Sequence, residues 1–286
     1  MSKCSKWNLL YAPSEVVATK RIKLVILPFW VFVMMLMMTS IASAEGPFVS
    51  GTTCEPFYPV DKNSPDLIAW ATGWEDYSVG SHVDAEWRTP EKALGPAVGD
   101  SYDIVCLGRG GSITMIFENG IGNGDGWDLA VFENSFSSTF LEFAYVEVSS
   151  DGVHFVRFDT ISFQDEVGEY GLVDYTLIHN IAGKYMQGLG TPFDLADLAY
   201  KDDVTSGLVN LNRIYYVRIV DIVGDGSCPQ NNPPSPPDWG VDGQPIYDPY
   251  PTSGSAGFDL DAVGVRYQAK NGVLPGVLLL LLGSQD

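Results

Sequence analysis

Two aspartates interrupt an apolar run near the end of the chain, GSAGFDLDAVGV at residues 254–265. In an extended strand Asp259 and Asp261 share one face while Phe258 and Leu260 point to the other. Neighbouring carboxylates repel one another and resist burial, so this pair requires a solvent-facing rim, a basic partner or a cation. Two residues along a strand the α-carbons are roughly 6.5 to 7 Å apart, close enough for one or both carboxylates to serve an ion held in an adjoining loop. A second oxygen-rich stretch, ENGIGNGDGWD at 118–128, sets Asn123, Asp125 and Asp128 among four glycines. Those are hard ligands on a backbone that bends tightly, although the spacing is not that of an EF-hand. The same residue types form ordinary turns, which leaves a bare turn as the alternative.

Familiar catalytic signatures are missing. The chain has no G-x-S-x-G elbow, H-E-x-x-H helix, P-loop or paired-cysteine zinc pattern. Of its histidines, His154 beside the Asp151-Gly152 turn reads as structural, and His179 reads as a loop histidine held by backbone. Glycoside hydrolysis needs only two carboxylates, so a secreted polysaccharide hydrolase stays open as the enzymatic alternative, with no pair singled out by spacing.

Residues 1–44 read as an export leader. Lys20, Arg21 and Lys23 precede an apolar run from Leu24 to Met38, and Ala42-Ser43-Ala44 supplies small residues for cleavage before Glu45. A single membrane anchor is the alternative, but the run is shorter than the ~20 residues a spanning helix needs. The whole chain has 16 Lys and Arg against 36 Asp and Glu; the leader takes five basic residues and one acidic with it, leaving 11 against 35 and a net charge of −24. Such a surface disfavours nucleic acid and anionic membranes, and it attracts cations. A secreted or cell-surface protein, acting as a monomer, is therefore expected. Cys106 lies in the apolar run DIVCLG and reads as a buried thiol, whereas Cys54 and Cys228, in Pro-rich segments, are the expected disulfide.

The elements that would position these groups are strands. SITMIF (112–117), WDLAVFE (127–133), FAYVEVSS (143–150), HFVRFDTISF (154–163), IYYVRIVDIV (214–223) and FDLDAVGVRY (258–267) are rich in β-branched and aromatic residues. Asp151-Gly152 predicts a tight hairpin turn. Several strands are apolar on both faces, so the fold class is all-β with two packed sheets, a β-sandwich, as one domain over 45–270. Short loop helices are predicted at SPDLIAWATG, TPEKALG and TPFDLADLA, each opened by a hydroxyl residue and proline. Residues 229–251 form a Pro-rich surface loop, and 271–286 an apolar tail that could be an edge strand or a truncated anchor.

Six ordered blocks, LGRGGSITMIF, GDGWDLAVFEN, YVEVSSDGVHFVRF, AGKYMQGLGTPFDLADL, YVRIVDIVGD and DPYPTSGSAGFDLDAVGV, resemble a group of largely uncharacterised bacterial secreted or cell-surface proteins. At fold level that group is similar to the galactose-binding-like, or discoidin-like, jelly roll of many carbohydrate-binding modules. The resemblance implies a structural calcium ion held by oxygens around Ala93 to Asp100 together with Asp259 or Asp261. Asp100, Asp259 and Asp261 from this resemblance, with Asp125 and Asp128 from the glycine-rich turn at 118–128, are the candidate metal ligands. The usual alanine-leucine-aspartate-glycine wording of the loop is replaced here by Gly95-Pro96. The function this implies is a calcium-stabilised binding or adhesion module for a glycan or cell-surface polymer. Trp87, Trp239, Tyr247 and Tyr250, loop aromatics able to stack on pyranose rings, are the candidate ligand-binding residues. Trp70 and Trp127, set in apolar patterns, read as core. A structural envelope component is the remaining alternative.

Overall fold

The structure, a computed structural model, describes residues 45–227 and 240–270. The leader, the apolar tail, Cys228 and Trp239 lie outside these residues, and so does the proposed Cys54 to Cys228 disulfide. Among the described residues thirteen strands, all antiparallel where they pair, build a β-sandwich with only short helical turns. One sheet runs β1 (Val60–Asp61), β11 (Leu189–Phe193), β6 (Leu129–Glu133), β13 (Asp259–Val265) and β2 (Ala69–Trp70), with β4 (Val105–Cys106) pairing the start of β13. The other runs β3 (Gly73–Ser78), β5 (Ser112–Ile121), β12 (Ile214–Asp221), β7 (Ala144–Ser149) and β8 (Val156–Arg157). A separate pair joins β9 (Ile161–Ser162) to β10 (Ile178–His179). Among the described residues no helix is long and apolar enough to cross a membrane.

Leu129, Val131, Leu260, Val263 and Val265 from the first sheet meet Ile113, Met115, Val146, Val148, Val217 and Ile219 from the second in one core. The doubly apolar strands owe their second face to loops. Ala130, Phe132 and Ala262 turn outward and are covered by Val60, Ala97 and Trp127, with Phe57, Leu67 and Trp70 packed against them. The opposite overlay puts Tyr145 and Val220 with Leu141, Phe143, Ile178, Ile181 and Ile246. A strand buried on both faces reads as a continuous apolar run, and β6 is buried at all five positions.

Strand β13 is buried along its whole length. Its pairing with β6 slips between Leu260 and Ala262, a β-bulge that inserts Asp261 opposite no partner. The bulge explains why the main-core residues are spaced Phe258, Leu260, Val263, Val265 instead of strictly two apart. The hairpin from β7 to β8 forms as expected, but its connection is longer than a tight two-residue turn: the last pair is Val148 with Val156, and Gly152, not Asp151, takes a positive φ, +76°.

Two of the three helix expectations fail. Residues of SPDLIAWATG instead make a turn and then β2, because the N–H groups of Ile68 and Ala71 donate to Val265 O and Val263 O at the edge of β13. Thr191 to Phe193 continue β11, and a single 3-10 turn, Leu195–Leu198, follows with Asp194 accepting from the Ala196 N–H. The third stretch is a 3-10 turn, Pro90–Ala93, but the Thr89 hydroxyl donates to Ile104 O instead of capping it.

Residues 45–58 are fastened by an ion pair. Lys184, 1% exposed, donates its Nζ to Glu55 Oε1 at 2.8 Å, and His179 Nδ1 lies 2.6 Å from the same oxygen. His179 is therefore held by a side chain and not by backbone, as read from sequence. Phe48 stacks between His179 and Phe163 at 5.1 and 5.7 Å. Burial alone would raise the Glu55 carboxyl, but Lys184 and His179 outweigh it and hold the group below the ordinary carboxylate range.

Because Lys184→Met leaves Glu55 enclosed without its cation, it is expected to cost about 3 kcal/mol in urea denaturation, most of it recovered by adding Glu55→Gln. A carboxyl lowered by folding stabilises the fold above its unfolded value and loses that contribution as pH falls through the folded value. Wild type should therefore lose stability below the ordinary carboxylate range more steeply than the double variant. A Lys184→Met cost within experimental error of zero would show that the pair does not hold this segment.

Candidate functional site

At one end of the sandwich the chain crosses between sheets, and charged groups collect there. Strand β6 ends at Glu133 in the first sheet, the 134–143 loop crosses over, and Glu142 lies two residues before the start of β7 in the second. Asp259 opens β13 on the same side, paired with Cys106 of β4. These three carboxyls face a cavity of about 570 Å³. Trp87 and Tyr102 from the β3–β4 connection, Phe136 and Phe140 from the crossover, Tyr170 and Leu172 from the β9–β10 connection, and Thr252, Ser253 and Ser255 before β13 complete its wall.

The rim is unusually apolar for a protein exterior. Tyr102 is 71% exposed and Phe136 70% exposed, with Tyr170 and Leu172 also open to solvent. Trp87 and Tyr102 stack at 6.3 Å, while Phe140 lies between Phe136 at 6.2 Å and Tyr170 at 6.1 Å, all within 24° of parallel. Rings whose faces stay in water, grouped around a concavity, mark a binding site more than a core.

The floor is acidic and has no base. Among the described residues, no ion pair reaches Glu133, Glu142 or Asp259. Glu142 Oε1 accepts from the Thr252 hydroxyl at 3.0 Å and the Gly257 N–H at 3.1 Å, and Glu133 Oε2 accepts from the Ser135 N–H at 2.8 Å. Asp259 Oδ2 accepts from Asn134 Nδ2 at 3.2 Å. The Cys106 thiol and Ser255 hydroxyl lie near enough to favour ionised Asp259, yet no donor has hydrogen-bonding geometry toward its buried Oδ1. Burial pushes Asp259 up to about 7. Burial and then the Asp259 charge raise Glu133 and Glu142 well above the carboxylate range.

Other buried acids at this end have a different role. Asp221 accepts from the Phe258 and Gly110 N–H groups at 2.7 Å each, and Asp248 accepts from the Phe143 N–H at 3.0 Å. Gly257 makes room for this clamp: at φ +76°, a Cβ there would sit 2.5 Å from Asp221 Oδ1. These two carboxylates hold the segments that carry Glu142 and Asp259.

The sequence-derived ligand set therefore disperses. Asp259 is in the cavity floor, but Asp261 is not; its Oδ1 and Oδ2 accept from the Val98 and Gly99 N–H groups at 2.9 and 2.8 Å and anchor that loop. Asp128 accepts from Gly124 and Leu195 N–H groups at 2.7 Å each, tying the β5–β6 turn to the end of β11. Asp125 is exposed beside that turn, and Asp100 is exposed, accepting from the Tyr102 and Asp103 N–H groups. Among the described residues no group of three or more Asp, Glu, His or Cys side chains is placed so that it could hold a metal ion. Of the aromatics, Trp87 is at the cavity. Tyr250 lies under the Arg109 guanidinium at 4.8 Å, and Tyr247 lines a separate depression with Pro47 and Asp242. Trp70 and Trp127 pack in the outer core layer as expected.

Glu133, Glu142, Tyr102 and Phe136 were not singled out from sequence. The two glutamates sit in LAVFE and LEFAY, each an acid inside an apolar run. That is the same anomaly as in DLDAV, and it was the available signal. Comparison with family models, with curated proteins and with solved structures finds no match.

A buried charge with an unpartnered oxygen opposes folding. Asp259→Asn is expected to raise stability in chelator at pH 8 by ~1–3 kcal/mol in urea denaturation. A clear loss instead would show that Asp259 has a stabilising partner.

Proposed function

We propose that this protein is an exported, non-catalytic binding module that takes a glycan or cell-surface polymer in the aromatic-rimmed cavity. The observation that carries this reading is the pairing of exposed, nearly parallel rings with buried acceptor-rich carboxyls in one concavity. Aromatic faces stack on the apolar faces of pyranose rings, and carboxylates accept from sugar hydroxyls. Serine and threonine hydroxyls on the wall supply both donors and acceptors. The strong negative charge of the chain disfavours nucleic acid and anionic lipid as the occupant. The leader reading, on residues outside those described, supports action beyond the cytoplasm.

A glycan array probed with the wild-type chain is expected to give binding without release of reducing sugar. Tyr102→Ala and Phe136→Ala should each weaken it by about tenfold. Because both side chains are mostly exposed, neither change should lower the melting temperature appreciably. Undiminished affinity in both variants would place the glycan elsewhere, and reducing-sugar release abolished by Glu142→Gln would make the cavity a hydrolase site.

A further inference from the structure

The aromatic-rimmed cavity carries charge of one sign only. None of the residues that line it is Lys, Arg or His, whereas Glu133, Glu142 and Asp259, all almost wholly buried, form its floor. Two cations stand near the rim, and both are turned to backbone: Arg109 donates to Thr252 O, and Lys92 donates to Tyr102 O at 2.7 Å. The donors that reach the three acids are neutral. Glu142 receives two on Oε1, Glu133 receives the Ser135 N–H on Oε2, and Asp259 receives Asn134 Nδ2 on one oxygen while its buried Oδ1 has no donor. Neutral donors relieve part of the cost of enclosing a carboxylate, but they supply no opposite charge.

The rim points the same way. The Trp87–Tyr102 stack and the Phe136–Phe140–Tyr170 series reach the cavity from separate connections. The face of an aromatic ring is negative, so it attracts a cation within about 6 Å as well as stacking on a sugar. An ammonium entering here meets ring faces and then carboxyls, all favourable to it; a sulfate, phosphate or carboxylate group meets the same surfaces with repulsion. At about 570 Å³ the cavity has the size of a small-molecule site.

We propose that the glycan taken by this cavity carries a free amine, an amino sugar whose nitrogen is an ammonium and not an acetamide. This rests on the glycan reading and narrows it. The ring of the sugar lies against the aromatic rim and its ammonium over the floor. There the positive charge favours ionised carboxylates, which burial and the Asp259 charge otherwise oppose at Glu133 and Glu142. The three N–H donors of an ammonium also suit a floor and wall rich in acceptors. An N-acetylated sugar lacks the charge and a uronic acid brings the wrong one, so the same floor selects for one class and against the other.

The full chain is titrated by calorimetry in about 0.5 M salt, which screens the general field of an acidic surface. The probes are the tetramers of glucosamine and of N-acetylglucosamine, an oligogalacturonate, and tetralysine as a cation without sugar. The glucosamine tetramer is expected to bind at least about tenfold more tightly than any of the other three. Glu142→Gln and Asp259→Asn should each reduce its preference over the N-acetylated tetramer to about threefold. Tyr102→Ala should weaken both tetramers, and Asp125→Asn, exposed at the β5–β6 turn, should behave as wild type. Circular dichroism restricts the comparison to folded variants, and Glu133→Gln replaces either floor variant that does not fold. An N-acetylated tetramer bound as tightly as the glucosamine one, and weakened by Tyr102→Ala, would overturn the amine and leave the glycan reading standing. Tetralysine bound as tightly as the glucosamine tetramer would overturn the amine as well, by showing that the attraction is to charge alone. Folded wild type that binds none of the saccharides would remove both readings.

Discussion

Backbone N–H groups, in place of basic side chains, satisfy most of the buried carboxylates that organise this protein. Residues 45–286 contain 11 basic residues for 35 acidic ones, so ion pairing cannot serve every acid that folding encloses. A carboxylate that accepts two N–H bonds is partly compensated, and it fixes two otherwise mobile backbone groups. Asp128 joins the β5–β6 turn to the end of β11 in this way, Asp261 holds the 98–99 loop against the β13 bulge, and Asp221 draws residues 110 and 258 together.

Glu133, Glu142 and Asp259 lie at the point where strands of both sheets stop and the chain crosses between them. Strand ends leave backbone groups without ladder partners, which is why loops there carry binding sites on a rigid frame. The neighbouring clamps, Asp221 and Asp248, keep that frame in place. The three cavity acids are therefore positioned by groups of the same chemistry; Glu133 and Glu142 accept from the Ser135 and Gly257 N–H groups, and of the three only Asp259 keeps a buried oxygen without a donor. Natural proteins retain such locally unfavourable groups chiefly where they serve a ligand.

The aromatic rim follows a similar logic. Phe136, Phe140, Tyr102 and Tyr170 come from three separate connections, and their stacking spares them only part of their contact with water. Rings of equal size elsewhere, Phe132 and Phe143 among them, are fully enclosed by the loop layers outside the sheets. The contrast between covered and uncovered aromatics sets this face apart from the loop-covered faces of the sandwich.

Strand identity was legible in the sequence because a sheet imposes a two-residue period and favours β-branched and aromatic side chains, and this signal is local. SITMIF and IYYVRIVDIV became β5 and β12, and the strands too apolar for one-sided burial correctly implied a second layer. The Thr-Pro and Ser-Pro helix starts were misleading where strand pairing competed, since the N–H groups of Ile68 and Ala71 are taken by β13 and the Thr191–Phe193 backbone by β6. The oddity of aspartates in β13 was also visible, and the bulge at Asp261 was written in the spacing of Phe258, Leu260, Val263 and Val265. What those aspartates do was decided only by tertiary structure. Whether a carboxylate is satisfied depends on which N–H groups, 163 residues away for Val98 and Asp261, fold against it. Asp259 and Asp261 have the same side chain and nearly the same place in the chain, yet different long-range partners make one a loop anchor and leave the other with an open oxygen in a cavity.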